Sequence, residues 1–135
     1  SYYLNTKVNH CGWDRDYPLR LFDRNYGNFN DKEVHESVVI KGNKTKLEEA
    51  ILHYTYPNIS SHINKMNRYT DLSSMEMKGN RSYGILTSFF LGINKFLKMY
   101  ILQKGFLDGR IGFILSINSA FGVYLKYLKT WRPEN

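Results

Sequence analysis

The sequence predicts a mixed α+β chain in which short N-terminal strands lead into three C-terminal helices. Three observations predict it. Up to Pro57 the chain is broken into short runs rich in Tyr, Val, Leu and Phe, separated by Gly, Pro and Asn. After Pro57, apolar residues recur at helical spacing. From Ile85 onward two long apolar stretches follow, each ended or opened by Gly.

Taken in order, "YYLNTKV" alternates Tyr, Leu and Val as a strand does, and "HCGWDRDYP" reads as a loop punctuated by Gly12 and Pro18. "PLRLF" reads as a short strand with Leu19 and Leu21 on one face and Arg20 and Phe22 on the other. "DRNYGNFND" reads as a polar turn, and "EVHESVVIKG" as a strand ending at Gly42. "KLEEAILHYTYP" begins like a helix at Leu47–Ala50, continues like a strand in "ILHYTY", and closes at Pro57. A helix is then expected with Ile59, Ile63, Met66 and Tyr69 or Thr70 on one face, capped by Asn58 or Ser60 and stopped by Gly79. Two more helices are expected over 85–105 and from 106 to Trp131. The polar "KGNRS" near residue 80 suggests a boundary between a first unit, 1–80, and a helical tail, 81–135.

At 135 residues and 42% hydrophobic, the chain has material for about one core. The single Cys11 excludes an internal disulfide framework and fits a reducing compartment. The opening "SYYLNTKVNH" has no apolar run of the secretory type, and with no initiator Met the chain is expected to be a piece of something longer. Net charge is +7 and unevenly placed. Residues 1–80 hold 11 Lys and Arg against 10 Asp and Glu, and residues 81–135 hold 8 against 2. A region both basic and rich in Phe, Leu and Ile suits an anionic membrane surface better than nucleic acid.

A membrane span needs about 20 mostly apolar residues. The longest charge-free stretch near the end, Ile111 to Leu125, has 15 and includes Ser116, Asn118 and Ser119, while Lys95 and Lys98 interrupt the stretch before it. Helices lying in the interface are therefore preferred to spans, and a helical hairpin packed on the rest of the domain is the other reading.

Several residues are candidates for chemistry. Glu36 can act as a general base if its carboxylate reaches the proton it removes, but from composition alone an exposed strand residue is the favoured reading. His35, its neighbour, points to the opposite face in a regular strand. His53 lies in an apolar run, where an imidazole is either an edge residue or a metal ligand; its spacing from His35 matches no zinc signature. Lys65 and Arg68 stand at i and i+3, a pair able to grip a diphosphate or simply to face solvent. No Gly-rich phosphate loop and no nucleophile elbow occurs.

The order "GW-x-x-DYPLRLFDR", "VHESV", "ILHYTY", "INKMNRYT", "YILQKGFLDGRIGFILS" resembles the C-terminal part of family 2 glycosyltransferases, most closely the bacterial subgroup that builds lipopolysaccharide core and related surface glycans. The likeness runs over essentially the whole chain. It implies an α+β fragment of an α/β GT-A fold and an inverting transfer of sugar from a nucleotide-sugar donor to a lipid-linked or cell-surface glycan acceptor. It implies a divalent metal, Mg or Mn, in the complete enzyme, and a cytoplasmic chain peripheral to the inner membrane. By this resemblance Glu36 of "VHE" takes the base position, with His35 where the family has an acid. His53 matches a late metal-holding histidine. Lys65, Arg68 and Tyr69 of "KMNRY" match a motif near the donor diphosphate or the acceptor, with Lys65 in place of Gln. Trp13, Arg20 and His35 match the acceptor-contacting region. The family's donor-binding half and its Asp-x-Asp motif have no counterpart, since "DRD" at Asp14–Asp16 falls in the loop. The expectation is an acceptor-side portion that does not turn over without its missing N-terminal half. A non-catalytic membrane-surface or protein-interaction module is the alternative.

Overall fold

A computed structural model of the chain describes residues 1–13, 18–19, 21–30, 37–46, 51–78 and 82–132. The architecture is mixed, with a few short strands followed by three helices. Strands β1 (Tyr2–Tyr3), β2 (Thr6–Lys7) and β5 (Tyr54–Tyr56) form one sheet in the order β2-β1-β5, and β3 (Gly27–Phe29) pairs with β4 (Val38–Ile40) in a second. Helices α1 (Ile59–Lys78), α2 (Ile85–Leu97) and α3 (Gly109–Leu128) follow.

The opening run is not one alternating strand. Leu4 and Asn5 both take positive φ, 49° and 59°, the backbone of a two-residue hairpin turn that folds β2 antiparallel onto β1. Parallel pairing of β1 with β5 brings the far end of the strand region back, with the Tyr2 amide donating to the His53 carbonyl (2.8 Å) and the Leu4 amide to that of Tyr56 (3.1 Å).

Two expectations between these strands are corrected. The described residues of "PLRLF" form no strand: Pro18 has no amide to donate, and the chain runs instead into a turn where Asp23 accepts from the Asn25 and Tyr26 amides. Conversely, part of the supposed turn "DRNYGNFND" is β3. Gly27 makes this possible, since a Cβ there would collide with Ile40 and Phe22, and Phe22 packs edge-on against Phe29. The expected strand 33–42 shortens to Val38–Ile40 among the described residues, closed across its mouth by Asn30, which bonds the Ser37 amide (3.0 Å) and hydroxyl (2.8 Å).

Helix α1 matches its expected span, and Asn58 is its cap, accepting the Ser61 amide through Oδ1 at 2.8 Å. Its buried stripe is displaced from the apolar one. His62, Met66, Thr70 and Ser73 are buried, whereas Ile59 and Tyr69 are exposed. The stripe is small and polar because it meets α3 closely, at Gly122 against Met66, and because it carries hydrogen bonds. The segment expected as one helix over 85–105 ends sooner. α2 runs into a single wide turn over Lys98–Leu102, closed by the Gln103 amide on the Lys98 carbonyl (2.8 Å), and a 3₁₀ turn over Gly105–Asp108 leads into α3.

The core lies across the expected boundary near residue 80. Tyr3, Val8 and Cys11 from the N-terminal segment pack with Met99 and Leu115 from the helical hairpin, flanked by Trp13, Tyr56 and Ile114. Burial of each large side chain contributes about 1.5–3 kcal/mol. Burial also pushes the Cys11 thiol up, so Cys11 packs as an apolar group.

Candidate functional site

Where β1, β5, α1 and α3 meet, a cleft of about 820 Å³ opens. It gathers Trp13 from the N-terminal loop, His53 and Tyr56 from the β5 segment, Lys65 and Tyr69 from α1, and Asn118 and Lys126 from α3. Four residues singled out in the sequence, Trp13, His53, Lys65 and Tyr69, are thus brought together from three separate segments. Arg68 lies one step around α1, where it shares a smaller depression of about 410 Å³ with Lys65 and Tyr69. Glu36, His35 and Arg20 lie outside the described residues.

The floor of the cleft is a chain of hydrogen bonds missed by sequence reasoning. Asn118 Nδ2 donates to the Tyr3 hydroxyl (3.2 Å), and that hydroxyl lies 2.8 Å from His62 Nδ1. The phenol can donate to a bare Nδ1 or accept from an Nδ1–H, so the tautomer of His62 sets the direction of that bond. Burial lowers the His62 pKa, and the Lys65 ammonium lowers it further. The ring is also stacked on Tyr56, at 4.3 Å and 21°, and meets Tyr3 edge-on. The one local signal that could have placed His62 here is its spacing, three and four residues before Lys65 and Met66 on the same helix face.

Around this floor the walls are aromatic and cationic. Trp13 packs edge-on against Tyr3 (6.0 Å, 88°), fixing one wall. Lys65 Nζ sits 5.4 Å from the Tyr56 ring centre and 5.6 Å from that of Tyr69, so its charge is held over the opposite wall rather than swinging in solvent. Burial raises the Tyr56 pKa, with Tyr69 and Tyr3 adding to it, so its phenol stays a hydrogen-bond donor. Among the described residues no carboxylate lines the cleft. Such a surface can accept a polyhydroxylated ring against aromatic faces and an anion beside Lys65 and Lys126.

No protein-family model matches this chain, and no solved structure matches it.

The divalent metal that the resemblance implies finds one described ligand in the cleft, His53. His62 Nδ1 is engaged by the Tyr3 hydroxyl, and among the described residues no three His, Cys, Asp or Glu side chains come together. The described residues do not make up a metal site.

A second constellation unites distant parts of the chain. The Asp108 carboxylate, 4% exposed, accepts from the Asn9 amide (3.3 Å), the His10 amide (2.8 Å) and His10 Nδ1 (2.9 Å). His10 is therefore a structural partner of the "LDG" turn.

Proposed function

We propose that this chain is the acceptor-binding portion of an inverting sugar transferase working at a membrane surface. One observation carries the reading. The cleft assembles Trp13, His53, Lys65 and Tyr69, four of the positions that the resemblance to family 2 glycosyltransferases assigns to acceptor, metal and diphosphate. Its chemistry supports the same substrate class, with aromatic walls for sugar faces, a neutral hydrogen-bonded floor and ammonium groups for a phosphate-bearing acceptor or donor.

In this reading the acceptor glycan lies against Trp13 and Tyr69 with a hydroxyl presented to the base. Glu36 is assigned that role by resemblance. It removes the hydroxyl proton as the oxygen attacks the anomeric carbon from the face opposite the leaving nucleotide. Lys65 and Arg68 stabilise charge on the departing diphosphate. The nucleotide-sugar donor is held by a donor-binding region, taken to be its N-terminal partner. A lipid-linked acceptor gives the basic apolar hairpin its use.

The test is sugar transfer by this chain joined to a donor-binding region with an Asp-x-Asp motif encoded upstream of it. Glu36→Gln is expected to cut transfer by about 100-fold or more while leaving nucleotide-sugar binding intact. Transfer at the unaltered rate removes Glu36 from the base role. The second reading, a non-catalytic membrane-surface module, is favoured by the exposed apolar hairpin alone, and it stands if vesicle binding persists where no joined form transfers sugar.

A further inference from the structure

The packing of the C-terminal hairpin is inside out for a protein surrounded by water. Where α2 meets α3 the buried residues are small. Ser88 and Ser116 are fully buried, Gly92 lies against the Ala120 carbonyl and Tyr124, and Gly105 closes on Gly112. Leu115 and Met99 turn in to the core beside Tyr3, but many of the other large apolar residues are exposed, among them Leu86 73%, Phe90 64% and Leu102 76%. Small residues inside and large apolar ones outside are the arrangement of helices whose outer solvent is hydrocarbon. By length and composition the stretches Ile85–Leu102 and Gly105–Leu128 are each apolar enough to cross a membrane, and only 17% of each is buried, unlike a core helix.

The outward residues form one surface. On α2, Ile85, Phe89, Ile93 and Leu97 recur every four residues, and on α3 Phe113, Ile117 and Phe121 do the same. The two rows join where Phe96 and Tyr100 meet Phe113, at ring-centre distances of 6.0 and 5.7 Å. Asn118, Gly122 and Lys126, which line the cleft, sit one position further along α3, about 100° around the helix. The cleft and the apolar surface thus occupy different sides of α3.

Both ends of the hairpin are fastened to the same polar body. Its tip is held by Asp108 on His10 and by the Cys11 amide on the Gln103 carbonyl (3.0 Å). Its base is held by Lys129, whose ammonium reaches Asp71 Oδ1 and Asn67 Oδ1, each at 2.7 Å. A hairpin that crossed a bilayer would carry its tip about 30 Å from its base, through the hydrocarbon. The tip here is bound to Asn9 and His10 of the body, and Asn9 is exposed.

We propose that the α2–α3 hairpin docks flat on one leaflet of an anionic bilayer, immersing the Phe89–Phe113–Phe121 side and leaving the cleft above the headgroups. Charge selects this occupant. Among the described residues of 82–132, seven Lys and Arg stand against one acid, Asp108, which is already paired with His10. Lys95 and Lys98 lie away from the apolar row of α2, as expected for a helix half-sunk in an interface. The inference rests on the membrane part of the function proposed above. Its test uses no sugar, so a failed flotation and a failed transfer assay are separate results.

The full chain is floated on sucrose gradients with vesicles of phosphatidylcholine alone or with one quarter phosphatidylglycerol. It is expected to float with the anionic vesicles at least about tenfold more than with the neutral ones, and to be released by high salt. The double variant Leu86→Glu with Phe90→Glu is expected to stay in solution with an unchanged melting curve, because both side chains are exposed. If it fails to fold, Leu97→Glu repeats the test at the other end of the row. Nitroxides on Leu86→Cys and Leu107→Cys then report depth. Flat docking places both about 5–10 Å below the headgroups. The proposal is overturned by a label at 107 that lies in the far leaflet, reached by an impermeant reductant only when the reductant is trapped inside the vesicle, by equal flotation on neutral vesicles, or by a chain that stays in solution.

Discussion

His62 lies buried with its Nδ1 against the Tyr3 phenol, and that burial has a consequence in pH. Folding depresses its pKa, first through burial and then through Lys65. The unfolded chain takes up a proton as pH falls below about 6.5, while the folded chain resists it. Stability present above that range is therefore lost as the pH falls toward and through the folded value. The melting temperature is expected to drop between pH 7.5 and pH 5, and His62→Gln is expected to flatten that drop; an equal slope in the variant removes His62 as the cause. Asp108 is the second residue whose loss is felt at a distance. Asp108→Ala leaves the Asn9 and His10 amides without their acceptor and is expected to cost about 2–3 kcal/mol in urea unfolding. An effect under about 0.5 kcal/mol would show the knot to be incidental. Neither role was legible in the sequence, because the partners stand far away: Tyr3 is 59 residues from His62, and His10 is 98 from Asp108. Trp13, His53, Lys65 and Tyr69 were legible because the resemblance rests on the local words that contain them.

The long helices announced themselves more fully than the short strands, of which β1, β2, β4 and β5 fall inside expected strand runs and β3 does not. A 20-residue helix such as α1 repeats its pattern over five turns, and Asn58 marks its start. Strands of two or three residues give no period, so β1, β2 and β3 are set by turn geometry at Leu4–Asn5 and by the space under Gly27 instead. Even within α1 the apolar stripe pointed about one residue away from the buried one, because that interface is built from small and polar groups rather than from Ile and Tyr. The α2–α3 contact follows the same rule more strictly. A Cβ on Gly112 would run into the Gly105 carbonyl, at the point where the hairpin turns. Gly112→Ala is expected to lower stability by about 1–3 kcal/mol, despite the better helix propensity of alanine. Ala at Gly84, where nothing crowds the added methyl, serves as the control and is expected to change stability by less than about 1 kcal/mol. Equal effects at both positions would deny the close approach its part in the hairpin.

At the scale of the whole molecule, the composition shift near residue 80 does not divide the core. The basic, apolar half of the chain supplies Met99 and Leu115 to the same cluster that buries Tyr3, Val8 and Cys11, and Asn118 to the hydrogen bonds beneath the cleft. The β2-β1-β5 sheet has few residues of its own and lies against α3 and the turn at Met99, so it has no independent hydrophobic interior. Residues 1–80 alone are therefore expected to be unfolded, with collapsed amide dispersion in NMR spectra and rapid digestion by trypsin. The intact chain is expected to melt in one transition followed alike by far-UV and aromatic near-UV circular dichroism. A folded 1–80 piece, or two separate transitions, would make the hairpin an appendage and would detach the cleft from the exposed apolar side. One transition ties them, so that the apolar side of the hairpin and the cleft with Trp13, Lys65 and Tyr69 keep a fixed relation to each other.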